Sequence, residues 1–381
     1  MAYANINEEI DEVKERAHFI AVVNAFKFYK LCSLDRIHKS EKIITSLPLS
    51  HQRRLEKYKS YLSKFKKCLD VNNSVVHMII QDVNTMFENV DHSNSIEING
   101  TESFGRDYNK CSLLSQKQHK MQHDVEKVQS VLKNIVRDWS EHGAMEREQC
   151  YKPILDEIEE RFPCDDYNEL SHVRVLVPGA GLGRLAWEIA ARGYMCQGNE
   201  FSLFMLFASN FILNRCSEPN MYTVHPWVHQ YVNHLTCEHQ LVGAQFPDVR
   251  PTGDRPNHNF SMTAGDFLKV YSPGEDWDCV ATCFFIDCAP NVIEFVERIY
   301  AILKPGGYWI NLGPLLYHYS DMTTENSIEP PYDILVEVIR DVGFEVLKEE
   351  TAVKTKYAQN PNSMMQHEYN SVFFVCKKPY F

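Results

Sequence analysis

The sequence lacks most of the features that would place it in a special class. No apolar run reaches the roughly 18 residues that a membrane-crossing helix needs, so no spanning segment is expected. The first residues, MAYANINEEIDEVKER, are polar and acidic and carry no secretory pattern, which predicts a cytosolic or nuclear protein. No Cys-x-x-Cys occurs, and the twelve cysteines form no paired framework, so reduced thiols are expected. Cys279, Cys283 and Cys288 fall on or just past an apolar run, where cysteine acts as a small hydrophobe, and no metal is expected there. Positive charge is also scarce: 39 Lys and Arg face 51 Asp and Glu, for a net charge of −12. Nucleic-acid partners are thereby disfavoured, because binding them needs clustered cations that displace counterions. The one basic stretch, Arg53–Lys67, repeats Leu, Tyr and Phe at helical spacing and reads as a solvated helix face.

What is present falls into two parts. Residues 1 to about 165 read as helical, with apolar residues at i, i+3, i+4 and i+7 in VEKVQSVLKNIVRDWSEHG and EREQCYKPILDEIEERF. Asp91–Asn109 is polar and rich in turn formers, which predicts a loop, and PCDDYN (163–168) reads as a boundary. From residue 166 strands alternate with helices. Strands are expected at 172–177, 194–201, 259–267, 277–287 and after the turn Lys304–Gly307, with two closing strands in EVLKEETAV and SVFFVCKK. This pattern predicts an α/β fold: a doubly wound, mostly parallel, seven-stranded sheet with an antiparallel edge hairpin, preceded by a helical domain. Residues 217–258 interrupt the alternation and read as an insertion over the mouth of the sheet. Its His225 and His229 have the spacing of metal ligands on a helix face, but no partner set completes a tetrahedral site.

The stretch VRVLVPGAGLGRLAWEIA (173–190) is a strand, a glycine turn and a helix. A phosphate-cradling P-loop needs Gly-Lys-Ser/Thr, and here Arg184 and Leu185 follow Gly183. The dinucleotide fingerprint needs a third glycine where Arg184 stands. Two further strand ends carry acids. Glu200 closes the second and is placed to accept from both hydroxyls of a ribose. Gly265-Asp266-Phe267 closes the third, where Asp266 suits an exocyclic amine and Phe267 an adenine face. A glycine turn at Gly179 and Gly181 without a phosphate-binding cation, together with these acids, fits S-adenosylmethionine in a class I, Rossmann-like methyltransferase. Its sulfonium also suits an acidic, partly aromatic pocket.

LVPGAGLGRLAWEIA, CQGNEFS, SMTAGDF, CFFIDCAPNVI and LKPGGYWINLGPLLYH, with VRDWSEHGAMERE upstream, resemble the carnosine N-methyltransferase family over roughly residues 15–381. The resemblance implies a transferase that methylates an imidazole nitrogen of carnosine to give anserine and S-adenosylhomocysteine. It implies cofactor contacts at Gly179, Glu200, Asp266, Phe267 and Cys283, with Arg137 and Asn134 supplied by the helical region. Asp287, His318 and Tyr369 match the substrate-binding and catalytic set, and Tyr357 a substrate-pocket tyrosine. The chain departs from the family at Asn134, where a glutamine is expected, and at Phe295 near the cofactor and His367, where tyrosines are expected. These departures bear on specificity more than on the reaction. A homodimer and a small dipeptide substrate are also implied.

The chemistry needs such groups. Methyl transfer is an in-line displacement that depends on alignment and requires no metal. A neutral imidazole attacks through its bare nitrogen and must then lose the proton on the other. His318 is the expected proton acceptor and Asp287 the orienting carboxylate. Blander roles remain for each: Asp287 as cap of a helix starting near Ala289, His318 as a packed loop side chain, Tyr369 as a core aromatic, and Arg137 as a partner of nearby acids. If Arg137 instead grips the cofactor carboxylate, the helical region is a lid. Competing functions are methylation of a protein histidine, an RNA or another amine, and a non-catalytic cofactor-binding module.

Overall fold

The computed structural model describes residues 2–83, 86, 113–164, 167–252, 259–274, 276–322 and 326–380; the expected loop Asp91–Asn109 lies outside them. Among the described residues the strands are β1 (Arg174–Pro178), β2 (Met195–Glu200), β3 (Tyr222–Val224), β4 (Ala244–Phe246), β5 (Phe260–Ala264), β6 (Trp277–Cys283), β7 (Leu303–Gly313), β8 (Glu345–Thr355) and β9 (Tyr369–Lys377). The chain divides into two compact units, one of Met1–Asn134, Asn220–Phe246 and Asn362–Met364, the other of Ile135–Pro219, Pro247–Pro361 and Met365–Phe381.

The first unit is built on long helices. In Ala2–Ser46 the side chains of Phe19, Val22, Val23, Phe26 and Tyr29 recur on one face and are buried. Helix Glu56–Ile79 buries Leu62, Phe65, Leu69 and Val76, leaving the lysines of the basic stretch toward solvent. Each large apolar side chain removed from water contributes about 1.5–3 kcal/mol. The short antiparallel pair β3–β4 joins these helices through Asn72, whose amide donates to the His225 carbonyl (2.9 Å) and accepts from its N–H (2.7 Å). The His225/His229 expectation of a helix face is not met. The segment is the end of β3 followed by a turn. His225 Nδ1 pairs with the Leu241 carbonyl and His229 Nε2 with the Tyr29 hydroxyl, each at 2.7 Å.

The second unit contains the seven-stranded sheet that the sequence predicts, in the order β5-β2-β1-β6-β7-β9-β8. Strands β5, β2, β1, β6 and β7 are parallel; β9 runs antiparallel to both β7 and β8. Side chains alternate between two cores. Val175, Val177, Cys279, Ala281, Ile310 and Leu312 face helices Lys152–Arg161 and Arg184–Ala191. Leu176, Val280 and Trp309 face Val292–Ile302 and Tyr332–Val342. Strand order reverses between β1 and β6, so a crevice opens beyond their carboxyl ends.

Several element ends differ from expectation: β7 begins at Leu303 and takes in the expected turn Lys304–Gly307, β1 and β2 shift by one or two residues, and three further ends have a local cause. The strand expected over 277–287 stops at Cys283, because Phe284 takes φ +53° and a 3₁₀ turn, Ile286–Cys288, follows. The third strand stops at Ala264, because Gly265 (φ +133°) turns the chain and Asp266 starts a short helix, Phe267–Val270. Tyr369 is not ahead of the last strand but its first residue, paired with Thr355.

Candidate functional site

The glycine turn needs its glycines. Gly179, Gly181 and Gly183 all have positive φ (+67°, +56°, +82°). A Cβ on Gly179 would also stand 2.4 Å from Cδ2 of Phe285. The turn is tied to β2: Ala180 N–H donates to the Asn199 carbonyl (2.8 Å), and Gly181 N–H to Glu200 Oε2 (2.8 Å). Glu200 Oε1 accepts from the N–H groups of Phe201 and Ser202 (2.9 and 2.7 Å). Burial pushes the Glu200 carboxyl above the usual carboxylate range, and these three donors oppose that shift. Asn199 carries the tie onward, its amide donating to the Gly265 carbonyl (3.0 Å). The ends of β1, β2 and β5 are thus one hydrogen-bonded edge.

Arg184, in the place of the missing fingerprint glycine, is occupied elsewhere. It donates to Asp248 Oδ1 (2.6 Å) and Glu188 Oε1 (2.9 Å), so its charge is already paired with these two carboxylates. The edge presents backbone and carboxylates, which suits a donor with hydroxyls, an amine and a sulfonium and no phosphate. Asp266 caps the helix Phe267–Val270 through Oδ1 and the Leu268 N–H (2.9 Å). Phe267 and Phe295 are both buried in an aromatic cluster. Phe285 stacks on Phe295 at 4.7 Å and meets Phe267 edge-on at 5.6 Å.

The last turn of helix Leu113–Trp139 reaches the same edge. Trp139 Nε1 donates to the Leu182 carbonyl in the glycine turn (3.1 Å). Arg147 closes the helix end, donating to the carbonyls of Arg137 (2.8 Å) and Ser140 (2.7 Å). Arg137 is buried; Nη1 donates to Asp138 (2.8 Å) and Tyr151 (2.5 Å), while Nε has no hydrogen-bond partner. Its guanidinium lies 4.5 Å from the Tyr357 ring centroid. Cys283 is half-buried at the end of β6, its thiol toward the Cys150 carbonyl (3.8 Å). Asn134 belongs to the first unit, where its amide donates to the Ser130 carbonyl (3.0 Å).

Beyond β6 and β7 a second group gathers. Asp287, 1% exposed, does not cap the next helix; Asn291 does, accepting from the Ile293 N–H (3.2 Å). Asp287 Oδ2 instead accepts from the Leu316 N–H (2.7 Å), and its carbonyl from the His318 N–H (3.1 Å). Burial pushes this carboxyl up, with the Leu316 N–H and neighbouring His318 pulling the other way. His318 is exposed, so it is not a packed loop residue. Side-chain donor atoms of Asp287, Cys288 and His318 lie within 4.8 Å of one another. Tyr317, ahead of His318, has φ +45° and donates to the Pro330 carbonyl (2.5 Å). Two non-glycine residues at positive φ, Phe284 and Tyr317, therefore flank this group, a strain typical of functional sites. Tyr357 and Tyr369 join it through Phe284, their ring centroids 5.0 and 5.9 Å away. Tyr357 remains 39% exposed, although the Arg137 guanidinium lies over its ring. His367 is exposed, its backbone N–H held by Gln359 Oε1 (2.8 Å). Sequence reading missed Phe284 and Tyr151, ordinary core aromatics at unremarked spacings, and Asp138, an acid whose burial against Arg137 only the fold shows.

A model of the carnosine N-methyltransferase family matches residues 114–380. The chain is 46% identical to the carnosine N-methyltransferase of Mus musculus over 371 residues, 97% of this chain and 88% of the relative. It is 47% identical to carnosine N-methyltransferase unmet of Drosophila melanogaster, over 97% of this chain and 81% of the relative. The carnosine N-methyltransferase of Schizosaccharomyces pombe is 36% identical, over 97% and 96%. Among solved structures, a phosphoethanolamine N-methyltransferase 2 of Haemonchus contortus in complex with S-adenosyl-L-methionine aligns with TM-score 0.36 and 14% identity, over 65% of this chain and 60% of that one.

Proposed function

The chain belongs to the carnosine N-methyltransferase family, and from that premise we propose that it methylates an imidazole nitrogen of carnosine with S-adenosylmethionine, giving anserine and S-adenosylhomocysteine. The observation that carries the reading is the pairing of buried Asp287 with exposed His318 beyond β6 and β7, in the same unit as the glycine turn.

When bound, S-adenosylmethionine supplies a methyl group on a positively charged sulfur. Glu200 holds the ribose hydroxyls, Asp266 accepts from the adenine amine, and Phe267 and Phe295 fill the wall behind the base. The backbone of Gly179 and Gly181, with Cys283, would line the amino-acid end, and Arg137, whose Nε makes no hydrogen bond and lies 3.8 Å from Glu146 Oε2, would hold the carboxylate. Asp287 orients the acceptor ring and favours its positive charge as it develops. His318 accepts the proton shed by the other ring nitrogen and passes it to solvent, for which its exposure suits it. Tyr357 and Tyr369 pack against the acceptor.

The test is transfer of labelled methyl from S-adenosylmethionine to carnosine, homocarnosine, free histidine, anserine and a His-containing protein extract. Label on carnosine and none on anserine is expected. Label confined to the protein extract would overturn the reading.

A further inference from the structure

Asp287, Cys288 and His318 supply three chemically different metal donors on two backbone segments. The thiol of Cys288 is half-buried and makes only long contacts, to the Phe284 carbonyl (3.7 Å) and Asp287 Oδ1 (3.9 Å). The segments are fixed to each other. Cys288 N–H donates to the Phe285 carbonyl (2.9 Å), Leu316 N–H to Asp287 Oδ2 and His318 N–H to the Asp287 carbonyl. Ligand atoms around tetrahedral zinc stand about 3.3–3.6 Å apart, from zinc bonds of about 2.0–2.3 Å. Donors already within 4.8 Å need close by only about an ångström or so, which side-chain rotation supplies. A carboxylate, an imidazole and a thiolate are the donor set of a soft divalent ion, with the exposed side at His318 leaving a fourth position to water.

We propose that Asp287, Cys288 and His318 form an inhibitory site for one thiophilic divalent cation, Zn²⁺ in the first instance. The cation binds the thiolate, the Cys288 proton leaves to solvent, and no redox change is involved. Its effect on turnover rests on the function proposed above. It occupies Asp287 and His318, which would hold the acceptor imidazole, whereas Cys288 serves the cation alone, so it competes with the acceptor and not with S-adenosylmethionine.

Binding is read on the full chain without acceptor or methyl donor, so it stands or falls independently of the carnosine reaction. One equivalent of Co²⁺ is expected to produce a thiolate-to-cobalt charge-transfer band, which Zn²⁺ bleaches. Cys288→Ser and Cys288→Ala are expected to remove the band with the melting temperature retained. Cys237→Ser, at an exposed thiol of the other unit, is expected to keep it. At buffered free Zn²⁺, Cys288→Ser is expected to raise the half-inhibitory concentration more than about tenfold while metal-free turnover stays within about threefold. Absence of the band, its loss with Cys237→Ser, or inhibition that Cys288→Ser does not relieve would overturn the proposal.

Discussion

The two ends of the crevice are built differently. At the β1–β2–β5 end, each key group is held by a neighbour close in sequence or one strand over. The glycines supply positive φ, and Glu200 accepts from three backbone N–H groups. At the β6–β7 end, the groups come from far apart in the chain: 284–288, 314–318, 357 and 369. There the backbone is strained at Phe284 and Tyr317, and a buried carboxylate sits against an exposed imidazole. A rigid edge suits a ligand recognised identically in every turnover. A strained edge with mixed exposure suits proton movement, because it holds groups whose charge state must change.

The sharpest way to break this contrast is to remove one group from each end. Asp287→Ala and His318→Ala are each expected to lower kcat about a hundredfold to ten-thousandfold, with cofactor affinity by calorimetry within about threefold. Equal loss of cofactor binding would mean the two ends are one site energetically. Glu200→Gln should do the reverse. In its proposed role on the ribose hydroxyls, loss of the Glu200 charge is expected to weaken cofactor binding by about 1.5–3 kcal/mol, leaving kcat at saturation within about twofold. Gly179→Ala adds a Cβ against the Phe285 ring and forces a left-handed alanine. It should cost at least about 1–2 kcal/mol of stability by thermal melting, and cofactor affinity with it.

Asp287→Asn separates stability from function. Burial raises the folded-state pKa of this carboxyl above its unfolded value. Its contribution is therefore complete below the ordinary carboxylate pKa and is lost as pH rises through the raised value. At neutral pH the buried charge is a cost, and an asparagine oxygen still accepts from the Leu316 N–H. The variant should be inactive yet more stable by about 1 kcal/mol at pH 7, with the advantage shrinking toward pH 4. A lower melting temperature at pH 7 would show the charge to be fully compensated. The smallest effect belongs to Asn291→Ala. Loss of this cap should cost about 0.5–2 kcal/mol of stability with kinetics unchanged, since Asn291 and not Asp287 starts the helix Val292–Ile302.

Much of this was legible beforehand, for definite reasons. Helix Arg184–Ala191 follows the glycine turn as the stretch 173–190 predicted, because the turn fixes its start and an apolar stripe its face. The all-apolar run of β6 announced a central strand. The same run misled at its far end: apolar Phe284 and Phe285 extend the pattern, and only the positive φ of Phe284 breaks it. The spacing of His225 and His229 suggested a helix face, whereas contacts with Tyr29, Asn72 and Leu241 hold them at the end of β3 and in the turn after it.

Local composition by itself settled the alternation of strands and helices, the glycine turn, the acid that closes β2 and the one just past β5, because periodicity and φ preference act over a few residues. Tertiary structure alone decided that Asp287 is bound to Leu316, that Cys288 stands beside His318, and that Arg137 meets Tyr151 and Tyr357. Those meetings depend on how strands distant in sequence are ordered in the sheet, and side-chain type carries no record of that order.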